Sequence, residues 1–206
     1  ATKAAGKHAQ GTICYTQSPV HDVASFVEMG RELAAIGCDS IAIKDMAGLL
    51  TPFLTADLVK ALKDAVDLPL HLHSHATSGL ADMCHLKAIE NGCDTVDTAI
   101  SSMAGGTSHP PTESLVAALR GTPYDTGLDL QALQEIGMYF YEVRKRYHQF
   151  ESAFTGVDTR VQVNQVPGEE MMVGFNLTAT TWDTCVLADI DTKGAAKIAP
   201  PDINTN

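Results

Sequence analysis

The sequence predicts an α/β fold, the C-terminal half of a (β/α)8 TIM barrel, followed by a helical segment and a tail without a pattern of its own. Three observations predict it. Short apolar stretches that read as buried strands start at residues 11, 40, 68 and 94, at intervals of 25–30 residues. Helical patterns fill the spaces between them, and that alternation implies parallel strands joined by helical crossovers. Polar residues stand at the C-terminal end of each strand, where barrels build their sites, and no Gly-rich dinucleotide fingerprint follows any strand.

Each element has its own signal. "GTICYT" (11–16) reads as the first strand. The helix after it is expected to open with Ser18 as N-cap and Pro19 at its first position, and to stop at Gly37, with Val23, Phe26, Val27 and Gly30 on one face. "SIAIK" (40–44) is the second strand. Thr51 and Pro52 open the next helix, which lines up Leu54, Leu58, Ala61, Leu62 and Ala65. "LPLHLH" (68–73) is the third strand, with a helix expected from Ser78 to Gly92. "DTVDTAI" (94–100) is the fourth, and after a longer loop a helix opens around Thr112. A further helix, "LQALQEIGMYFYEVRKRYHQFES", follows Gly121.

Four units make half a barrel, so the reading places residues 1–150 in the barrel half and expects its first strands upstream. Residues 151–168 begin a post-barrel segment, and residues 169–206 form the tail, read as not belonging to the barrel. An incomplete barrel would leave its first and last strands with open edges, so a free chain of this kind is expected to be marginal, or to complete itself through another chain.

Composition narrows the classes. The formal net charge is −11, and the basic residues form no stripe, which argues against a nucleic-acid partner. "VRKRYH" (143–148) is the densest basic patch and suits a helix C-terminus. No apolar run approaches the length of a membrane span. The opening "ATKAAGKHAQ" lacks a basic region followed by an apolar one, so no signal peptide is expected. Five cysteines, at 14, 38, 84, 93 and 185, contain no C-x-x-C pair and read as reduced thiols in a cytoplasmic setting.

The strand ends carry the chemistry. Side chains alternate along a strand, so Ile41 and Ile43 belong under the helices while Ser40, Ala42 and Lys44 point into the barrel. An inward lysine is costly to desolvate unless it is paired or neutralised. Lys44 follows Cys14 by 30 positions and precedes His73 by 29, so one period brings Cys14, Lys44, His73 and His75 to one rim. An H-x-H pair at a strand end can offer two neutral nitrogens to a divalent ion, and it can equally serve as hydrogen-bonded polar strand residues. His71 lies deeper and reads as a hydrogen-bonded barrel residue. His85 and His148 fall in helices and are expected to be solvated. The loop "SSMAGGTSHPPTES" (101–114) carries two glycines that permit close backbone approach, with Thr107, Ser108 and His109 beside them.

At "AIKDMAGLLTP", "LHLHSHATSG" and "DTAISSMAGGTSHPPTESLVAALRGTPYDTGLD" the chain resembles the carboxyltransferase domain of biotin-dependent enzymes. The α subunit of oxaloacetate decarboxylase is the nearest likeness, with the pyruvate carboxylase and transcarboxylase domains as relatives. "HAQGTICYTQSPVHD" and "YFYEVRKRYHQFE" fit as well, and the likeness runs from about Gly6 to Gly168. The resemblance implies a divalent metal, zinc by preference, held by an H-x-H pair, an aspartate and a lysine carboxylated on its ε-nitrogen. His73 and His75 match the pair, and Lys44 matches the CO2-modified lysine. It implies decarboxylation of oxaloacetate to pyruvate with CO2 passed to biotin, or the reverse transfer. It also implies a loop threonine that exchanges a proton with biotin, matched by Thr107, and it puts Cys14 near the substrate pocket, where a plain buried thiol is the alternative.

The resemblance further implies a biotin carrier on another domain or chain, a homo-oligomeric full-length protein and, for a decarboxylase, membrane-embedded partner subunits that would bring it to the inner membrane. The family's metal-binding aspartate and substrate-binding arginine fall before residue 1, and no "MKM" biotin-attachment motif occurs. Zinc binding by the chain alone is therefore expected to be weak and bicarbonate-dependent. "NLT" (176–178) would be a glycosylation site only in a secreted protein. Two other readings compete. One is a metal-dependent aldol or Claisen barrel lyase, disfavoured by Lys44 in "KDM". The other is an inactive fragment that serves only in binding or assembly.

Overall fold

The structure, a computed structural model, describes residues 1–151 and 156–163. Four parallel strands form one sheet in the order β1 (Gln10–Cys14), β2 (Ser40–Asp45), β3 (Leu70–Ser74) and β4 (Thr95–Val96). The crossovers are α1 (Val23–Ala35), α2 (Pro52–Ala65) and α3 (Ala81–Glu90). After β4 come α4 (Thr112–Leu119), α5 (Leu130–Lys145) and the short α6 (Arg160–Val163). This is the parallel arc of a partial barrel, with β1 and β4 as its edges among the described residues. The tail at 169–206, and Cys185 with it, lies outside the described residues.

Alternation along the strands separates core from site. Ile13, Ile41, Ile43, Leu70 and Leu72 are buried against Phe26 and Val27 of α1, Leu58, Val59 and Leu62 of α2, and Cys84 and Ala88 of α3. Each of the Ile, Leu, Val and Phe side chains taken out of water contributes about 1.5–3 kcal/mol. The opposite face carries Cys14, Lys44, His71 and His73, all partly buried. Gly30 lets α1 and α2 close up, since a Cβ there would lie 2.7 Å from Leu62 Cδ2.

Several boundaries differ from expectation for local reasons. The cap of α1 is Asp22, whose carboxylate accepts from Ser25 N at 2.8 Å, while Ser25 Oγ donates to the Asp22 carbonyl. Ser18 instead forms a turn in which its Oγ lies 2.7 Å from His21 Nδ1. Gly37 ends the helix with φ +89°. Thr51 and Pro52 open α2 as expected, without a side-chain capping bond. α3 starts at Ala81 rather than Ser78, because Ser78 Oγ donates to the Gly48 carbonyl across the rim. β4 is shorter than "DTVDTAI" suggests. After Asp97 N bonds the Leu72 carbonyl, the chain turns to pair with its own later loop, with Ala99 N donating to Pro110 O and Thr112 N to Ala99 O.

His85 is a correction. It is fully buried rather than solvated, with Nδ1 2.7 Å from Ala81 O and Nε2 2.8 Å from Asp97 O. Ala81, Cys84, His85 and Ala88 are the buried positions of α3. Their i, i+3, i+4, i+7 spacing is that of a core-facing stripe. His148 is exposed, as expected. The cysteines at 14, 38, 84 and 93 are free thiols. Burial foremost pushes those of Cys84 and Cys93 up to about 11.

The loops above the strand ends are stapled together. Buried Asp45 accepts from Leu49 N at 2.8 Å, Leu50 N at 3.0 Å and Ser74 Oγ at 3.0 Å. Burial raises its pKa although these bonds oppose the shift. The described part of the post-barrel segment returns to the same rim, where Asp158 N donates to Thr77 O and Gln162 Nε2 to Gly48 O.

Candidate metal centre

The parallel register sets the first row of the site. Cys14 stands opposite Lys44, and Lys44 opposite His73. The three residues that one sequence period aligned therefore stand side by side on adjacent strands, on the face away from the helices. Lys44 is half-buried and makes no ion pair with a carboxylate among the described residues. Burial pushes the Cys14 thiol up, and the nearby Lys44 charge opposes that.

His75 lies just past the strand end and is still held by the ladder, since its N–H donates to Asp45 O at 3.0 Å. The rim loop then closes over it. Ala76 N donates to Ser108 O at 2.7 Å, and Gly105 N to His109 O at 2.9 Å. Gly105 and Gly106 have φ of +82° and +55°, which glycine adopts without a side-chain clash.

Hydrogen bonding fixes the tautomers. His73 Nδ1 lies 2.7 Å from Asp97 Oδ2, and His75 Nδ1 lies 2.5 Å from the Thr107 carbonyl. His109 Nδ1 lies 2.9 Å from the Ser74 carbonyl. These oxygens can only accept, so each neutral ring carries its proton on Nδ1 and presents Nε2 as a lone pair. Burial foremost, opposed by the bond to Asp97, lowers the His73 pKa and favours its neutral form. Burial works against ionised Asp97, but the hydrogen bond from His73 and the nearness of the His71 ring outweigh it and hold that carboxyl below the usual range.

The donor set fits a divalent cation. One ligand atom each from His73, His75 and His109 lies within 4.8 Å of the others. His73 Nε2 is buried and has no hydrogen-bond partner. A buried polar atom without a partner calls for an explanation, and a metal among several imidazoles provides one. His71 stays outside the cluster. Its Nδ1 lies 3.2 Å from Gln10 Nε2, and its Nε2 lies 2.8 Å from Asp97 Oδ1, close in distance but out of line for a hydrogen bond.

The structure thus brings Lys44, His73 and His75 together and sets Cys14 beside them. Thr107 stands on the covering loop with its side chain exposed, and its carbonyl orients His75. Two participants were absent from the ligand set read from sequence. Asp97 carried a readable signal, since it stands at the end of its strand as Lys44 does in β2. His109 carried none beyond its residue type, because its approach to the pair depends on the loop's hydrogen bonds.

The chain is similar in sequence and in fold to known proteins. The HMGL-like family profile matches residues 1–139. The chain is 58% identical over 167 residues to a pyruvate carboxylase subunit of Methanocaldococcus jannaschii, covering 81% of this chain and 30% of that protein. It is 50% identical over 170 residues to the methylmalonyl-CoA carboxyltransferase 5S subunit of Propionibacterium freudenreichii subsp. shermanii, covering 82% and 34%. Among solved structures it resembles the carboxyl transferase domain of Rhizobium etli pyruvate carboxylase with pyruvate. That match has a TM-score of 0.79 and 37% identity, and covers 85% of this chain and 30% of that one. The chain spans about a third of the length of these relatives.

Proposed function

The chain belongs to the HMGL-like family, and from that premise we propose that it is part of a biotin-dependent carboxyltransferase that moves a carboxyl group between biotin and pyruvate. The observation that carries this reading is the buried, partnerless Nε2 of His73, with Nδ1 held by Asp97 and Lys44 beside it in register. His73 and His75 would hold a divalent cation, and the imidazole donors favour zinc over harder ions. Lys44, carboxylated on its ε-nitrogen, would add an oxygen ligand and lose the cost of an unpaired ammonium at the rim.

The cation, when bound, supplies Lewis-acid polarisation of the keto acid's carbonyl. The remaining work belongs to the chain's own residues. Asp97 keeps the His73 ring oriented, and the Thr107 carbonyl does the same for His75. The exposed Thr107 hydroxyl would exchange a proton between biotin's ureido nitrogen and the substrate carbon. Cys14, protonated near neutrality, lines the same rim. Biotin would arrive on a carrier domain, and the full-length protein would be a homo-oligomer.

The transfer can run toward oxaloacetate or away from it. Of the two readings, carboxylase or transcarboxylase has the better support, because the relatives compared above carry those names and none carries that of oxaloacetate decarboxylase. Among the described residues no helix is long and apolar enough to cross a membrane. We place the reaction in the cytoplasm, supported by four free thiols.

Deuterium exchange into the pyruvate methyl group tests the reading. The zinc-loaded chain should accelerate it, and chelation or His73→Ala should abolish the acceleration. Equal exchange with and without zinc would refute the proposed chemistry.

A further inference from the structure

Resting on the reading above, we propose that His109 is a third imidazole ligand, so that this chain alone supplies a three-nitrogen metal centre. The H-x-H pair comes from one strand end. His109 comes from the loop after the next strand, and nothing in the repeat places it there. Its ring centroid nevertheless lies 4.4 Å from that of His73 and 4.6 Å from that of His75, closer to each than they are to one another at 5.2 Å. The ligand atoms of all three fall within 4.8 Å.

The placement is held by three hydrogen bonds of independent origin. Ala76 N donates to Ser108 O, His109 Nδ1 to Ser74 O, and His75 Nδ1 to Thr107 O. The bond to Ser74 O has a chemical consequence. It puts the ring proton on Nδ1, so the His109 nitrogen that remains is a lone pair, as in His73. A side chain that only pinned the loop to Ser74 would need a single donor, which an amide also has. The imidazole adds a second nitrogen beside a bare buried acceptor, His73 Nε2. Lone pairs gathered in a partly desolvated site repel one another and are stabilised by a cation shared among them. Three nitrogen ligands with one open position are also a common catalytic zinc arrangement.

Being neutral, a third imidazole adds affinity without cancelling the cation's charge. It also biases the site toward zinc or cobalt and away from magnesium and manganese, which favour oxygen ligands. The chain should therefore take up zinc even in bicarbonate-free buffer, where Lys44 remains an amine.

The test is Co(II) and Zn(II) binding to the full 206-residue chain in bicarbonate-free buffer, comparing wild type with His109→Ala, His109→Gln and His73→Ala. Far-ultraviolet dichroism checks the fold of each. His109→Ala and His109→Gln should each weaken zinc binding at least about 10- to 100-fold, the loss typical of removing even an outer-sphere partner. The zinc-over-manganese preference should shrink with it. In the cobalt form, three exchangeable imidazole N–H protons should show large hyperfine shifts, and two in either His109 variant.

If His109→Gln restores wild-type affinity, the residue is a loop staple and the inference fails. If both His109 variants bind as wild type while His73→Ala does not, the inference fails and the proposed function stands. If wild type takes up no metal without bicarbonate but does so once bicarbonate is added, the inference fails and the proposed function stands; no uptake in either buffer, or no effect of His73→Ala, overturns both.

Discussion

The strand rim and helix α5 handle large side chains in opposite ways. At β2 and β3 the residues Ile41, Ile43, Leu70 and Leu72 are buried under α1–α3, and Lys44 and His73 between them are aligned by register. Along α5 only Gly137 is buried, while Met138, Tyr139 and Tyr141 stand in solvent, with Tyr139 66% exposed. In the first region each position is determined twice, by the helices on one side and by neighbouring strands on both. In the second, one side is held by Arg144 Nη1 on Ser102 O and by the close approach of Gly137 to Glu113. Stability and chemistry therefore concentrate in the same three strand–helix units, and damage there should cost both.

The largest effect that would sharpen this contrast is in the core. Leu62→Ala, at a fully buried position packed on Gly30, should cost about 2–5 kcal/mol in urea denaturation. Tyr139→Ser should stay within about 0.5 kcal/mol. Comparable losses at both sites would remove the distinction. Next comes Gly48, with φ +68° and a backbone oxygen of His75 2.6 Å from where a Cβ would lie. Gly48→Ala should cost about 2 kcal/mol or more, since the left-handed conformation alone costs a residue with a Cβ about 1–2 kcal/mol. The displaced carbonyl belongs to a proposed ligand, so zinc affinity should fall with stability. Unchanged affinity would separate fold from site.

A smaller change is expected at Asp97. Asp97→Asn keeps the size of the side chain but weakens the grip on His73 Nδ1, and should lower zinc affinity about 10- to 100-fold with little change in folding. Wild-type affinity in a calorimetric titration would mean the carboxylate does not orient the ring.

The smallest effect concerns pH in the metal-free chain. Burial foremost lowers the pKa values of His73 and His85. The unfolded chain then binds more protons than the folded one below the ordinary histidine value of about 6.5. Their contribution to stability is complete above that pH and declines as the pH drops toward the lowered values. A urea midpoint that rises on acidification from pH 7 to 5.5 would contradict the burial of these rings.

The row Cys14, Lys44, His73 was legible in the sequence because parallel strands of a regular repeat convert a constant spacing into adjacency. The alternation of Ile41 and Ile43 with Lys44 gave the two faces for the same reason. What escaped depends on loops and on competition between local partners. Ser18 and Asp22 are both good caps, and Asp22 holds the helix because Ser25 reciprocates while Ser18 engages His21. His85 was readable from its stripe with Ala81, Cys84 and Ala88, but a histidine suggested solvent. His109 stood out in the glycine loop, but its place beside the pair was not readable, since a loop after β4 reaches Ser74 only through tertiary hydrogen bonds.

The most direct measurement is anomalous diffraction at the zinc edge from crystals of the chain grown with zinc and bicarbonate. The account predicts one strong peak about 2.0–2.1 Å from a ring nitrogen of His73 and of His75. No peak there, or rings turned away from one another with the metal elsewhere, would contradict it.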